Sequence, residues 1–237
     1  MIATAARVLT QLRHDPRTIA MILLVPLLLL SLLWWIYEDS PVFAQIGPTL
    51  LAIFPVMIMF LVTSITTLRE RRSGTLERLM TLPLSKVQLL LGYALAFGTV
   101  AVVQAVLASV LMLGPLGLET EGSAALLILV AVLDGLLAVA LGLFVSAFAR
   151  TEFQAVQFMP ALILPQLLLC GLLVPRDELP RLLEYLSDVL PLSYAADAMS
   201  AIASESTPDL TLEVTVLGGF VIGLLLLGAA TLRRRTP

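Results

Sequence analysis

The sequence predicts an all-α integral membrane fold with six transmembrane helices, and three observations carry that reading. The 237 residues are 59% hydrophobic and only 13% charged, too little polar surface to cover a soluble globule of this size. Apolar runs long enough to cross a bilayer, which takes about 20 residues, recur at 18–37, 47–68, 87–113, 123–148, 153–174 and 214–232. None of these runs alternates with a period of two, so they read as helices rather than barrel strands, the two arrangements that satisfy a backbone in hydrocarbon. Residues 1–237 read as a single transmembrane domain.

Residues 1–17 precede the first span and place Ile2, Ala5, Leu9 and Leu12 at helical spacing, with Arg7, Gln11 and Arg13 elsewhere. That pattern predicts an interfacial helix along the inner membrane surface, stopped by Asp15 and Pro16. The first apolar run is long and lacks a small-residue cleavage site, so no removable signal is expected and the run stays as a span. Trp34, Trp35 and Tyr37 close it as an interfacial belt. Ser40 and Pro41 read as a cap and a first-turn proline opening a short helix ahead of the second span.

Between the second and third spans lies a charged island, 69–86, which holds five of the fourteen Lys and Arg residues. It also carries Leu76, Leu79, Met80 and Pro83 at i, i+3, i+4 and i+7, an amphipathic turn that a plain connection does not need. Ser85 and Gln88 form a capping-box pattern that starts the third helix. After the fifth span, 175–213 is longer than the other connections. Pro180–Val189 predicts a short helix with Leu182, Leu183, Leu186 and Val189 on one face, and Leu192–Ile202 a second, both too short to cross and read as an outer re-entrant pair. Pro160, Pro165 and Pro175 are candidate kinks.

Twelve of the fourteen basic residues fall on one side of this topology, leaving Arg176 and Arg181 on the other. Positive residues mark the cytoplasmic face, so both termini and the 69–86 loop are expected in the cytoplasm of a bacterial plasma membrane, with Arg233, Arg234 and Arg235 anchoring the last helix at anionic lipid. The lone Cys170 cannot form an internal disulfide, and no Cys or His cluster points to a metal. No G-x-x-x-x-G-K-[ST] phosphate loop, zinc-helix pair or nucleophile elbow occurs, so catalytic residues are not expected on this chain.

RERRSGTLERLMTLPLS, Arg69 to Ser85, resembles the coupling-helix region of type-2 ABC transporter permeases, the membrane subunits of bacterial exporters in the group that contains daunorubicin-type drug exporters. Independently, Ala149 to Ser200 is similar to the fifth span, outer hairpin and Pro-Leu-Ser/Thr-Tyr signature of that family, here Pro191-Leu192-Ser193-Tyr194. The resemblance implies a permease that exports an amphipathic drug or lipid-like compound. It implies two ATPase subunits on separate chains, which hold ATP and Mg, and a second permease copy or paralogue. Membrane lipid and a small amphipathic substrate complete the expected partners, without nucleic acid. It also implies that Gly74, Thr75, Leu76, Glu77, Arg78, Leu79 and Met80 form the helix that docks in an ATPase cleft. Glu77 and Arg78 would make its polar contacts and Leu76, Leu79 and Met80 its apolar anchor.

Two sets of residues are open to two readings each. Asp134 is the acidic residue well inside a predicted span, where an ion costs a few kcal/mol; it is either a gating or substrate-cation contact, or a helix–helix hydrogen bond to Gln104 or Thr99. Thr63, Ser64 and Thr67 with Gln154, Gln157 and Gln166 either line a translocation path or act as polar glue between helices. Gly142-x-x-x-Ser146 and Gly219-x-x-x-Gly223 read as close-packing positions. Two alternatives stand beside drug or lipid export: a glycan or lipid-linked carbohydrate exporter, disfavoured by the 6% aromatic content, and a non-transporting anchor that recruits a soluble partner. Replacing Leu79 by Glu is expected to leave the chain inserted but to separate ATP hydrolysis from transport, read as the ratio of efflux to phosphate release in vesicles.

Overall fold

The computed structural model describes residues 1–38, 40–72 and 86–231. Nine α-helices and one 3-10 turn are found among them, with no strand. The first, α1 (Ile2–Arg13), turns at Asp15 into α2 (Pro16–Ile36). Then come α3 (Val42–Arg72), α4 (Lys86–Leu113) and α5 (Ala124–Ser146). They are followed by α6 (Glu152–Leu169), the 3-10 turn Arg176–Glu178, α7 (Arg181–Val189), α8 (Pro191–Ser204) and α9 (Thr211–Thr231). Six of these, α2 to α6 and α9, are long and apolar enough to cross a membrane. The coupling residues Gly74, Thr75, Leu76, Glu77, Arg78, Leu79 and Met80 lie outside the described residues, as do Ser85 and Arg233 to Arg235.

The corner between α1 and α2 is built by Asp15, whose carboxylate accepts hydrogen bonds from the Thr18 backbone N–H at 3.2 Å and the Thr18 hydroxyl at 2.6 Å. Those two bonds hold the Asp15 pKa below the ordinary carboxylate value, and Pro16 enters at the first helical position, where a missing N–H costs nothing.

The core sits where α5 meets α3, α4 and α9. Phe60, Phe97, Leu127, Leu137, Met59 and Met112 are completely enclosed there. In lipid the apolar effect gives these helices no preference for each other over acyl chains, so close backbone approach has to supply the packing. Gly142 provides it as its spacing predicted: a Cβ at that position would stand 2.9 Å from the Phe60 carbonyl oxygen and 2.8 Å from the Thr63 Cβ on α3. Gly219 and Gly223 differ. Nothing lies within 4 Å of a Cβ at either position, so this part of α9 is not a close-packing seam within the chain.

Three boundaries depart from the sequence reading. Ser40 does cap, its Oγ accepting the Val42 N–H at 3.3 Å, but the helix it opens does not stop before the second span; α3 runs 31 residues without a break, with Pro48 and Pro55 inside it. Each proline frees the carbonyl four residues before it, that of Ala44 or Leu51, and the helix continues through both. The fifth span ends at Leu169, short of Val174 and of Pro175, because Gly171 takes a positive φ of 90° and the helix cannot continue through it. On α1, the enclosed stripe is Thr4, Ala5, Val8 and Leu12, packed on α4, while Ile2 is exposed; α1 docks on protein with the face expected to meet lipid.

Substituting Gly142 by Ala is expected to push α3 from α5 and to destabilise the bundle by about 1–3 kcal/mol, the usual cost of overpacking. Gly219→Ala should stay within about 1 kcal/mol of the parent, since only helix propensity changes there. Thermal unfolding in detergent compares the two.

Candidate coupling site

The 69–86 loop leaves the bundle from α3, and the last turn of α3 is Arg69, Glu70, Arg71 and Arg72. Consecutive residues on a helix point about 100° apart, so a run of charges there must fan out toward different neighbours. It does so. Arg69 turns to the start of α6, donating from Nε to Glu152 Oε1 at 2.8 Å and from Nη2 to Oε2 at 2.9 Å. Arg71 turns to the end of α5, donating from Nη1 to the Ser146 carbonyl at 2.6 Å. That carbonyl is among the last of its helix, which has no intrahelical partner and carries the negative end of the helix dipole.

Glu70 points inward and is 9% exposed. Its Oε2 accepts from Arg7 Nη2 of α1 at 2.8 Å and from the Tyr93 hydroxyl of α4, while the same Arg7 nitrogen lies 3.0 Å from the Tyr93 oxygen. Burial of the Arg7 guanidinium works against its charge, but the hydrogen bond to Glu70 and the neighbouring Tyr93 outweigh it and leave the pKa raised, so Arg7 stays a cation. Arg7, Glu70 and Tyr93 thus form one three-way contact among α1, α3 and α4. The two helices that flank the loop, α3 before it and α4 after it, are fastened to each other and to α1 at this point.

The space inside the joint is a cavity of about 10 Å³ lined by Thr67, Arg71, Leu89, Tyr93 and Ser146. That is far below the size of a small-molecule pocket. Tyr93 and Arg7 were not singled out from sequence. An aromatic residue with a hydroxyl, seven residues into an apolar helix start, carries a weak hint, since a buried tyrosine needs a partner for its O–H.

The candidate path residues are dispersed. Thr63 and Ser64 are fully enclosed, Ser64 Oγ bonding the Leu61 carbonyl at 2.9 Å. Thr67 faces the small cavity of the joint. Gln154 serves the start of α6: its side-chain oxygen accepts the Arg150 N–H at 2.8 Å and its backbone N–H donates to Thr151 Oγ at 3.1 Å, a capping arrangement. Gln166 is enclosed and accepts the Leu192 N–H at 3.2 Å, pinning α8. Gln157 alone of the six is exposed, on the outward face of α6.

Asp134 is 1% exposed within the core. The partner expected for it is not there. Gln104 Nε2 donates instead to the Ile22 carbonyl of α2 at 2.7 Å, and Thr99 to the Leu95 carbonyl of its own helix at 2.8 Å. Asp134 Oδ1 has no hydrogen-bond partner among the described residues. Each group takes a backbone carbonyl instead: the Ile22 carbonyl is the one that Pro26, four residues on, leaves without an intrahelical partner, and the Thr99 hydroxyl bonds one turn back on its own helix.

A family profile for the ABC-2 type transporter matches residues 1–203. The chain belongs to the ABC-2 type transporter family. Among curated relatives, this ABC-2 type chain is 31% identical over 150 residues to the probable multidrug ABC transporter permease YbhR of Escherichia coli (strain K12), covering 63% of the chain and 41% of YbhR. It is 28% identical over 147 residues to the inner membrane transport permease YhhJ of the same strain, 62% of the chain and 39% of YhhJ. It is 25% identical over 192 residues to the probable multidrug ABC transporter permease YbhS, 79% of the chain and 50% of YbhS. The ABC-2 type chain therefore spans half or less of the length of these relatives.

Removing Arg7 takes one partner from a part-buried ion pair, whereas Arg69 and Glu152 are largely exposed, at 59% and 46% of their side chains. Arg7→Ala is therefore expected to cost about 3–5 kcal/mol, and Arg69→Ala no more than about 1 kcal/mol. Chemical denaturation of the purified chain, followed by circular dichroism, separates them.

Proposed function

We propose that this chain is the permease subunit of an ATP-driven exporter that moves an amphipathic drug or a lipid-like compound outward, and that the 69–86 loop receives the stroke of an ABC ATPase. The observation that carries the reading is the fan of contacts at the end of α3. Arg69, Glu70 and Arg71 connect the start of the loop to α6, to α1 and α4, and to α5 respectively. A push on a loop held only by backbone would be absorbed by local bending. Here it is delivered at once to four other helices.

The charge pattern supports the orientation. Arg7, Arg69, Arg71, Arg72 and Arg150 gather at the loop end of the bundle, which the positive-inside rule puts in the cytoplasm. The loop then faces the compartment that holds nucleotide, and ATP with Mg is supplied by the ATPase. The likeness to YbhR and YbhS, probable multidrug ABC transporter permeases, supports a drug-like substrate. The exposed face of α6, with Gln157 among Phe153, Val156 and Leu164, suits the position of a path shared with a second permease copy, because a polar amide is poorly placed against lipid. Gly74 to Met80 remain the residues assigned to the ATPase cleft.

Co-reconstitution with the ATPase subunit that copurifies with the chain tests the reading, using efflux of a fluorescent amphipathic dye and flip of a fluorescent phospholipid as the two transport signals. Tyr93→Phe removes one hydroxyl from the joint and is expected to lower efflux per ATP hydrolysed about tenfold, the loss of roughly 1.4 kcal/mol of coupling, with assembly retained. Absence of ATP-dependent movement of either compound, in a complex that still hydrolyses ATP, would favour a membrane anchor instead.

A further inference from the structure

At the end of the bundle opposite the coupling joint, the chain between α6 and α9 divides into a fixed arm and a hinged one. The fixed arm is α8. Leu192, Ala195, Ala198, Met199 and Ile202 are fully enclosed against α3, α5 and α9, so α8 is part of the core. The other arm is α7, of which Ser187 alone is buried. Apart from the half-buried Leu183, its apolar residues turn away from the protein: Leu182, Tyr185, Leu186 and Val189 lie on one stripe and are between 49% and 72% exposed. Apolar burial therefore does not hold α7 down.

What holds it is polar, and it centres on Arg176. The guanidinium donates from Nη2 to Asp188 Oδ1 of α7 at 2.6 Å and from Nη1 to the Asp197 carboxylate of α8, and it stacks 5.5 Å from the centre of the Tyr194 ring. The Tyr194 hydroxyl closes the loop by donating to the Asp188 carbonyl at 2.7 Å. Ser187 Oγ adds a bond to the Leu169 carbonyl at the end of α6 at 2.8 Å and lies 3.0 Å from Ser193 Oγ. One cation thus joins two carboxylates that belong to different helices. Without it, two negative charges would face each other across the α7–α8 contact, an unfavourable arrangement at this range. Burial raises the Asp197 pKa and Arg176 pulls it back, as expected for a carboxylate that leans on that guanidinium.

The covalent geometry at both ends of the arm permits a swing. Gly171 has a positive φ of 90° immediately after α6, and the single extended residue Leu190 separates α7 from α8. Hinges of this kind, at element termini, absorb large backbone changes in domain and loop closures.

We propose that residues 171–190 form a flap beside α8, and that Arg176, itself on the flap, is the positioning residue that latches it, by holding Asp188 of α7 and Asp197 of the fixed helix together. The latch does not depend on export. Release is a local opening of α7 about Gly171 and Leu190 while α8 stays seated.

The test uses the full chain in liposomes, with Cys170 replaced by Ala and a nitroxide attached at Leu182→Cys on the flap or at Ser204→Cys on α8. Electron paramagnetic resonance reads side-chain mobility without nucleotide or transport, so failure of the export reading leaves the result interpretable. Arg176→Gln is expected to raise the mobile fraction at position 182 about threefold, the signature of a local opening. Arg176→Lys, which keeps the charge, should restore most of the immobile signal, and Asp188→Asn with Asp197→Asn should reproduce the Gln effect in part. Position 204 should not change in any of them. Superimposable spectra at position 182 for the parent and Arg176→Gln would overturn the latch, as would equal mobilisation at 204, which would mean that the whole end unfolds rather than a flap opening.

Discussion

A helix that carries charge at its membrane boundary must find partners for that charge within one turn, and the end of α3 meets this constraint by spreading its side chains to four other helices. Arg69 meets a carboxylate, Arg71 meets the unsatisfied carbonyl at the end of α5, and Glu70 accepts from Arg7 and Tyr93. Each contact satisfies a group that would otherwise be costly at the edge of hydrocarbon. The same contacts make the end of α3 rigid with respect to α1, α4, α5 and α6. Mechanical connection is a by-product of polar satisfaction.

The middle of the bundle follows a different rule. Between the two charged ends polar groups such as Asp134 and Gln104 are few, and the arrangement rests largely on shape: Gly142 lets α5 lie against the α3 backbone, and α5 in turn fills the centre between α3, α4 and α9. Such packing is stiff. α6 stands apart, packing on α3 along a narrow strip of Ala155, Ile163 and Gln166, and its connection to the joint runs through Glu152.

Arginine organises both ends, with opposite consequences. At the joint, Arg7 is backed by an enclosed carboxylate and a tyrosine, inside helices that are themselves packed, so the contact consolidates what apolar burial already holds. At the other end Arg176 bridges Asp197 of the packed α8 to Asp188 of α7, whose apolar stripe faces outward. There the ion pairs, with the Ser187 and Tyr194 hydrogen bonds, are the attachment. A latch made of charge pairs in a part-exposed place can open and reclose at modest cost, which a buried apolar contact cannot.

Hydropathy and charge in the sequence determined the number of spans, their approximate limits and the grouping of basic residues at one end, because the bilayer demands a minimum apolar length and local composition suffices to meet it. The two short helices after the fifth span were legible for the same local reason, as were the caps at Ser40 and the close approach at Gly142. What only the tertiary structure decided depends on residues distant in the chain. Arg7, Glu70 and Tyr93 are separated by 63 and 23 positions, and Arg176 and Asp197 by 21, so no spacing rule connects them. Asp134 and Gln104 illustrate the converse: two polar groups in neighbouring spans looked like partners, yet Gln104 reached the Ile22 carbonyl on a third helix. A polar side chain in a membrane interior bonds whichever group its rotamer can reach, and that is set by helix rotation and crossing, quantities that a one-dimensional pattern does not contain.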